Sequence, residues 1–234
     1  MSHLSQTVMI TGAAGNLGRA VAAAFAAQGA KLVLLDLNED ALSTAYGVSN
    51  DNQALLPANL LDTTSLAKAV KDAEEWFGDI DVLCNVAGGF AMGEPVHQLS
   101  NQTWDLMMNL NATSLINTAR LIVPKMISAG GGKIINIAAT AGNAGGANKS
   151  AYCAAKGTVI RLTESMSAEL REQNINVNCV LPSIIDTPAN RADMPDADFS
   201  RWVTPAALAD VIVFLASENA RAIHGAAVPV AGLS

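Results

Sequence analysis

The fold is decided by a glycine-rich stretch near the start of the chain, which reads Thr11-Gly12-Ala13-Ala14-Gly15-Asn16-Leu17-Gly18. An apolar run at residues 7–10 precedes it and predicts a strand, and an amphipathic run at residues 17–28 follows it and predicts a helix. Gly12 allows the tight turn, Gly15 lets the backbone approach a pyrophosphate, and Gly18 permits close packing of the helix on the strand. The strand, turn and helix together predict a dinucleotide-binding unit whose helix N-terminus holds the pyrophosphate.

Asp36 follows the next predicted strand and bears on which dinucleotide is bound. A carboxylate at this point accepts hydrogen bonds from both hydroxyls of the adenosine ribose and repels a 2′-phosphate. Neither Ala14 nor Leu37 supplies a cation for such a phosphate. The sequence therefore favours NAD(H) over NADP(H). The plain alternative is a set of ordinary turn glycines with Asp36 as a solvated strand end.

Short β-branched runs alternate with amphipathic stretches along the rest of the chain. The predicted strands are residues 7–10, 31–35, 53–58, 82–86, 133–137, 176–181 and 227–230. The predicted helices are residues 17–28, 65–76, 103–128, 152–172 and 206–216. This alternation predicts an α/β fold, a doubly wound parallel sheet with helices on both faces, in a single domain spanning residues 1–234. The irregular stretch 183–203 follows a strand's carboxyl end and is predicted to cover the substrate.

Composition argues against several kinds of partner. Of the 234 residues, 50% are apolar, and 14 Lys and Arg against 21 Asp and Glu give a net charge of −7. This charge repels nucleic acid and anionic membranes, and no run reaches the ~20 apolar residues of a membrane-spanning helix. Three cysteines without CxxC spacing and the lack of an export signal predict reduced thiols in a cytoplasmic protein. His97 and His224 lack partners at ligand spacing, so no metal site is predicted, and His3 is given no role.

Tyr152 and Lys156 stand four positions apart, which places both side chains on one face of the predicted helix 152–172. A nearby ammonium favours a phenolate, so Lys156 is predicted to lower the pKa of Tyr152 from about 10 toward the working range. Tyr152 could then give a proton to a developing alkoxide and recover it afterwards. The same spacing occurs by chance on many helix surfaces, so it gains weight only from the other motifs.

These motifs, in this order, resemble those of the short-chain dehydrogenase/reductase superfamily along nearly the full chain. Residues 11–18 match its TGxxxGxG, residues 85–88 (NVAG) resemble its NNAG, and residues 152–156 match its YxxxK. The resemblance implies a Rossmann fold with strand order 3-2-1-4-5-6-7. It also implies a catalytic role for Asn111, which in the family kinks its helix and holds a water that connects the lysine to solvent.

Further contacts to NAD(H) are implied by position in the family. Asp36 would hold the adenosine ribose, and Asn59 and Leu60 would meet the adenine edge. The other implied cofactor contacts are Gly12, Gly15, Asn16, Leu17, Gly18, Ala87, Gly88, Tyr152, Lys156, Pro182 and Thr187. Ser183 stands where the family usually has glycine. The long helices predicted at 103–128 and 152–172 resemble the family's association surface, which implies a homodimer or homotetramer.

The main departure from the family lies at the end of the fifth predicted strand. The family places a substrate-orienting serine thirteen positions before the tyrosine, and that position here is Ala139. Loss of such a donor costs about 10² to 10³ in rate. One explanation is that Thr140 supplies the hydroxyl, although alternation along a strand turns it toward the other face. The others are a chain that binds cofactor without turnover, and a substrate that needs less polarisation.

A local resemblance supports the last of these explanations. Residues 180–202 and 83–91 are similar to the corresponding parts of quinonoid dihydropteridine reductases, which also carry alanine at the serine position and use NADH. Members of that family generally lack the asparagine found here at Asn111. Phe90 and Trp202 are predicted either to contact substrate or to belong to the core, and Trp104 is predicted to anchor the core.

The sequence therefore predicts an NAD(H)-dependent oxidoreductase that transfers hydride between nicotinamide and a small carbonyl or quinonoid substrate, dihydropteridine-like by local resemblance. One alternative is a general ketone or 3-oxoacyl reductase that uses Thr140. The other is a non-catalytic NAD-binding subunit, which Ala139 favours.

Overall fold

Seven parallel strands form one sheet in the order β3-β2-β1-β4-β5-β6-β7. A computed structural model describes residues 6–234, so the first five residues of the predicted domain, with His3, lie outside the described part. The strands are β1 (Thr7–Thr11), β2 (Lys31–Asp36), β3 (Gln53–Pro57), β4 (Val82–Asn85), β5 (Gly132–Ile137), β6 (Ile175–Pro182) and β7 (Ala227–Val230). This sheet confirms the predicted doubly wound fold and its strand order. Each strand forms from a short apolar run between turn residues.

Eight α-helices within residues 6–234 surround the sheet. They are α1 (Asn16–Ala26), α2 (Glu39–Tyr46), α3 (Thr63–Phe77), α4 (Asn101–Met108), α5 (Ser114–Ala129), α6 (Ser150–Leu170), α7 (Pro188–Asp193) and α8 (Pro205–Ala216). Helices α2 and α7 were not predicted from the sequence. It was also wrong to predict one continuous helix at 103–128, because a π-helical segment, Asn109–Thr113, separates α4 from α5. In the described part of the chain, no helix is both long and apolar enough to cross a membrane.

Alternation along the strands directs apolar side chains to both faces of the sheet. On one face, Ile10 and Leu34 share a buried cluster with Phe25 of α1 and residues of α8. On the other face, Met9 and Leu83 pack with residues of α3 and α5. Because both faces are covered, the strands are nearly uniformly apolar, and ligands are expected at the carboxyl edge of the sheet.

A ladder of buried polar side chains crosses this apolar interior. Asn85 of β4 pairs directly with Asn136 of β5, and its Nδ2 donates to Asn136 Oδ1 at 2.9 Å. Asn136 Nδ2 in turn donates to Thr163 Oγ1 of α6 at 2.9 Å. Thr118 of α5 donates its hydroxyl to Asn85 Oδ1 at 2.8 Å. The ladder therefore ties both central strands to α6, the helix that carries Tyr152.

Candidate active site

The turn between β1 and α1 is shaped by backbone atoms in close contact. Gly12 has a φ of +64°, and a Cβ there would lie 2.8 Å from the Cα of Ala87. A Cβ on Gly18 would lie 2.2 Å from the carbonyl oxygen of Gly12. Gly15, by contrast, is exposed and precedes α1 as its N-cap, where no side chain caps the helix. The turn therefore leaves the N-terminus of α1 open to an anionic group, which fits the pyrophosphate of a dinucleotide.

Asp36, the last residue of β2, is half-buried beside this turn. Its Oδ2 accepts a hydrogen bond from Ala14 N at 3.0 Å, and its Oδ1 accepts one from Asn38 N at 3.4 Å. An ionised carboxylate has about four acceptor sites, so capacity remains for ribose hydroxyls. Tyr46, which was not predicted as a site residue, lies at the end of α2 and donates its hydroxyl to Ala13 O at 2.7 Å. Burial raises the pKa of Tyr46 to about 12, so the phenol remains a donor that holds the turn in place.

The segment after β4 connects the glycine-rich turn with Asn111 and Lys156, two of the predicted catalytic residues. Thr11 Oγ1 accepts a hydrogen bond from Ala87 N at 3.1 Å, which ties the end of β1 to the segment after β4. A Cβ on Gly88 would lie 2.8 Å from Asn111 Oδ1 and 3.4 Å from Lys156 Nζ. The absence of a side chain at Gly88 thus lets the asparagine and the lysine share one small space.

Asn111 lies in the π-helical segment, is only 3% exposed, and uses its amide to replace backbone hydrogen bonds. Its Nδ2 donates to Met107 O at 2.9 Å and to Gly89 O at 3.0 Å, and its Oδ1 accepts from Gly89 N at 3.2 Å. Such single-turn π segments are frequent at functional sites. The irregularity implied by the resemblance is thus present, and it connects the α4–α5 junction with the segment after β4.

Lys156 is buried one helical turn after Tyr152 on α6. Its Nζ donates to Ile137 O, at the end of β5, at 2.8 Å and lies 5.9 Å from the centroid of the Tyr152 ring. Burial lowers the pKa of Lys156 to about 8, because the charged ammonium is removed from water. The lysine is therefore mostly charged at neutral pH and loses its charge above about pH 8.

The pKa of Tyr152 is raised, so the prediction that it falls from about 10 toward the working range is wrong. Burial raises the pKa of Tyr152 to about 12. The ring packs edge-to-face on Phe90, with centroids 4.9 Å apart and planes at 84°, and against the buried residues Met107, Ala151 and Ala155. Desolvation of the phenolate in this apolar contact outweighs an ammonium 5.9 Å away that is itself bonded to a carbonyl oxygen. The phenol is thus protonated at neutral pH.

The aromatic residues considered from the sequence fall in three environments. Phe90 is 50% exposed and forms an aromatic wall beside Tyr152. Trp202 is only 7% exposed and packs on Phe199, with ring centroids 4.8 Å apart, so it belongs to the core. Trp104 is 41% exposed, and the prediction that it anchors the core is wrong, because the residue that α4 buries is Met107.

The position where the family has its serine is occupied by a buried apolar residue. Ala139 follows β5 and is buried. Thr140 begins a short 3₁₀ turn, Thr140–Gly142, and is half-buried. A Cβ on Gly142 would lie 2.9 Å from the backbone carbonyl oxygen of Lys156, so this turn packs closely on α6. In the part of the chain that the structure describes, the Thr140 hydroxyl has no hydrogen-bond partner and stays a candidate donor to substrate.

The segment after β3 lies where the adenine contacts are predicted, at the carboxyl edge of the sheet. Asn59 Oδ1 accepts from Leu61 N at 3.0 Å, which closes a tight turn. Leu60 O accepts from Nδ2 of Asn117 at 2.9 Å, so α5 holds the segment in place. Asn117 was missed because its role depends on a contact 57 residues away. The adenine contacts of Asn59 and Leu60 themselves stay predictions.

The segment after β6 uses its polar side chains to hold the chain. Pro182 ends β6, and the Thr187 hydroxyl caps α7 by accepting from Asn190 N at 3.2 Å. Ser183, which replaces the usual glycine, donates its hydroxyl to Ala231 O at 2.8 Å and so fastens the C-terminal segment. Across residues 6–234, no three His, Cys, Asp or Glu side chains come together as a metal site requires.

Comparison with known proteins adds the following similarities. Residues 6–198 match the family model described as short chain dehydrogenase. The chain is 31% identical to the NAD-dependent glycerol dehydrogenase of Listeria innocua serovar 6a, over 94% of this chain and 90% of that protein. It is 29% identical to the 3-oxoacyl-(acyl-carrier-protein) reductase of Thermotoga maritima, over 96% and 95%. A 3-ketoacyl-(acyl-carrier-protein) reductase from Brucella melitensis, solved with NADH, has a TM-score of 0.89 and 27% identity, covering 99% of this chain and 98% of that one.

Proposed function

Because the chain belongs to the short-chain dehydrogenase family, we propose that it transfers hydride between NAD(H) and a small carbonyl or quinonoid carbon. The observation that carries this proposal is that two polar side chains meet beside Gly88, with a phenol close to one of them. The amide of Asn111 and the buried ammonium of Lys156 approach that glycine, and the phenol of Tyr152 lies one helical turn from the lysine. The bound nicotinamide would supply or accept the hydride.

The preference for NAD(H) rests on Asp36. Its carboxylate is bonded to the backbone of the glycine-rich turn through Ala14 and keeps acceptor capacity toward ribose hydroxyls. A 2′-phosphate in that place would meet a negative charge fixed by the backbone. We therefore expect NADH to be used in preference to NADPH.

In the reducing direction, Tyr152 acts as the proton donor. Its pKa of about 12 keeps the phenol protonated at neutral pH, and it gives its proton to the oxygen that becomes an alkoxide. The ammonium of Lys156 then stabilises the phenolate left behind. Both Nδ2 hydrogens of Asn111 are already donated, so its remaining acceptor capacity at Oδ1 is what could hold a water beside Lys156.

Two features of the substrate side favour different acceptors. The half-exposed ring of Phe90, edge-to-face with Tyr152, favours a planar quinonoid substrate that stacks on it and needs little polarisation at Ala139. The Thr140 hydroxyl, which has no hydrogen-bond partner within residues 6–234, favours an ordinary ketone or 3-oxoacyl substrate that accepts a hydrogen bond from it.

The deciding experiment measures initial rates of NADH and NADPH oxidation with quinonoid dihydropterin and, separately, with a 3-oxobutanoyl thioester. Turnover of either compound with NADH, reduced about 10² to 10⁴-fold in Tyr152→Phe, would support the proposal, because this variant keeps the ring and removes only the acid. The faster compound identifies the acceptor class. Tight NADH binding with no turnover of either, or of a wider set of ketones, would instead indicate a non-catalytic NAD-binding subunit.

We also propose that the chain forms a homodimer or homotetramer through the α4–α5 side. Four large apolar side chains are exposed there, Trp104, Leu106, Leu110 and Ile127. A second copy packed along α4 and α5 would remove apolar side chains of this set from water, which favours association. Sedimentation should show a dimer or larger species that dissociates in Trp104→Glu but not in Val48→Glu, which changes another exposed apolar residue. A monomeric wild-type chain would contradict this proposal.

A further inference from the structure

Lys149 lies next to the aromatic wall of the candidate active site. Its Nζ is 6.0 Å from the centroid of the Phe90 ring, and that ring is in edge-to-face contact with Tyr152. Among residues 6–234, no carboxylate forms an ion pair with Lys149, whereas Lys125 and Lys133 each have one. An ammonium without a carboxylate, in a chain of net charge −7, thus lies one aromatic ring away from the proton donor.

Two backbone connections hold this arrangement. Lys149 directly precedes α6, and its carbonyl oxygen accepts a hydrogen bond from Cys153 N at 2.8 Å. Asn148, which adopts a left-handed φ of 57°, accepts a bond from Gly93 N at 2.8 Å. That second bond joins the loop of Lys149 to the segment that carries Phe90. The backbone of the lysine is therefore fixed relative to both Phe90 and Tyr152.

Two charged side chains on the substrate side, Glu94 and Arg191, form hydrogen bonds with residues other than Lys149. Glu94, on the same segment as Phe90, accepts hydrogen bonds on Oε1 from the hydroxyls of Ser100 and Thr103, each at 3.1 Å. In the segment after β6, Arg191 is bonded to both carboxylate oxygens of Asp186, at 2.6 and 2.7 Å. In the described chain the buried Oε2 of Glu94 has no hydrogen-bond partner and forms no ion pair with Lys149, and Arg191 pairs with Asp186. The ammonium of Lys149 is therefore available to a ligand.

We propose that Lys149 binds the carboxylate of the substrate and that the preferred acceptors are oxo acids. The inference rests on the proposed function. The carbonyl oxygen of the acid meets the Tyr152 hydroxyl, the carbon chain lies along the Phe90 ring, and the carboxylate reaches the ammonium. An aromatic ring separates Lys149 from Tyr152. The carbonyl and carboxylate of a 2-oxo acid are therefore too close together to reach both residues, and acids with the carbonyl further from the carboxylate fit.

The test uses 2-, 3-, 4- and 5-oxohexanoate, each beside its methyl ester, with the full chain and NADH. At least one of the 3-, 4- and 5-oxo isomers should be reduced with a kcat/KM at least about fivefold above that of its ester, mainly through a lower KM. Lys149→Met should remove this preference while leaving ester reduction within about twofold, and Lys149→Arg should keep it. Lys68→Met, at a lysine 78% exposed on α3, is the matched control.

The outcomes separate the inference from the proposed function. Esters reduced as well as acids, or an acid preference that survives in Lys149→Met, would overturn the role of Lys149 and leave the oxidoreductase proposal standing. If no compound is reduced, the proposed function fails, and calorimetric titration of the NADH-loaded protein with hexanoate decides the inference. Hexanoate binding that is lost in Lys149→Met would keep the carboxylate site, and no binding in the wild type would remove it.

Discussion

The cofactor turn and the substrate side meet at the same edge of the sheet but are built differently. In the turn between β1 and α1, backbone atoms are so close that a single methyl group on Gly12 or Gly18 has no room. On the substrate side, Phe90 and Lys149 present side chains over open surface, and the Thr140 hydroxyl has no partner in the described chain. Changes in the turn should therefore affect whether the protein folds, while changes on the substrate side should affect which compound reacts.

The largest expected effect comes from comparing a glycine of each region. Gly18→Ala should lower the free energy of unfolding by about 3 kcal/mol or more, because its Cβ would overlap the Gly12 carbonyl oxygen. Gly145→Ala, on the substrate side, should change it by less than about 0.5 kcal/mol, since nothing lies within 4 Å of that Cβ. The unfolding midpoints of both variants in urea test this difference. Equal midpoints would show that the turn is not constrained as described.

The buried lysine between the two regions predicts a pH dependence. Lys156 has a pKa lowered to about 8, so its stabilising charge is present below that pH and is lost above it. The kcat/KM for carbonyl reduction should be level from pH 6 to 7.5 and fall about a hundredfold between pH 8 and 10. Lys149→Met should show the same fall, because Lys149 is not part of proton transfer. A level profile up to pH 10 would mean that the charge of Lys156 is not needed.

Asp36 tests whether the cofactor region also governs specificity. Asp36→Asn should keep a bond to Ala14 N through its carbonyl oxygen, but it removes the negative charge. The ratio of kcat/KM for NADH to that for NADPH should fall roughly 10- to 100-fold, with little change in thermal stability. Asp40→Asn, in the first turn of α2, is the control for loss of one negative charge. An unchanged ratio would place the basis of cofactor choice elsewhere.

The smallest effect is expected at the position of the missing serine. Thr140→Val should lower kcat/KM for ketones by about fivefold, because it removes one neutral hydrogen-bond donor and keeps the volume of the side chain. Ala139→Ser should raise the rate for ketones more than for quinonoid dihydropterin, which needs less polarisation. Parallel initial rates for both compounds provide the comparison. Unchanged ketone reduction in Thr140→Val would remove Thr140 as the replacement for serine.

The sheet could be predicted from the sequence because its signals are local. Each strand is an apolar run between turn residues, and the spacing of the glycines indicates the tight turn that follows β1. Helix α2 also had a local signal that was overlooked. Asn38 caps the N–H of Ala41, and Glu39 and Asp40 occupy the first turn, as is typical of a helix start.

The features that were missed depend on contacts between distant residues. Apolar periodicity did not reveal the π-helical segment, which only the resemblance implied as a kink at Asn111, since Asn111 bonds to the backbone of Gly89, 22 residues earlier in the chain. The raised pKa of Tyr152 follows from the apolar contact with Phe90, which the spacing to Lys156 could not reveal. Trp104 was assigned to the core on residue type alone, although its direction is set by how α4 packs. Local pattern predicts elements, but it does not predict which of their sides meet.

The pairing of Asn85 with Asn136 also bears on how accurately the chain folds. Parallel strands covered on both faces are so uniformly aliphatic that hydrophobicity alone distinguishes weakly between alternative alignments of β4 and β5. A slip of one residue would turn Asn136 to the other side of the sheet, away from both Asn85 and Thr163. Each buried amide left without a partner costs about 1 to 3 kcal/mol. The two asparagines thus favour the native register of β4 and β5 over a sheet in which these strands are out of register.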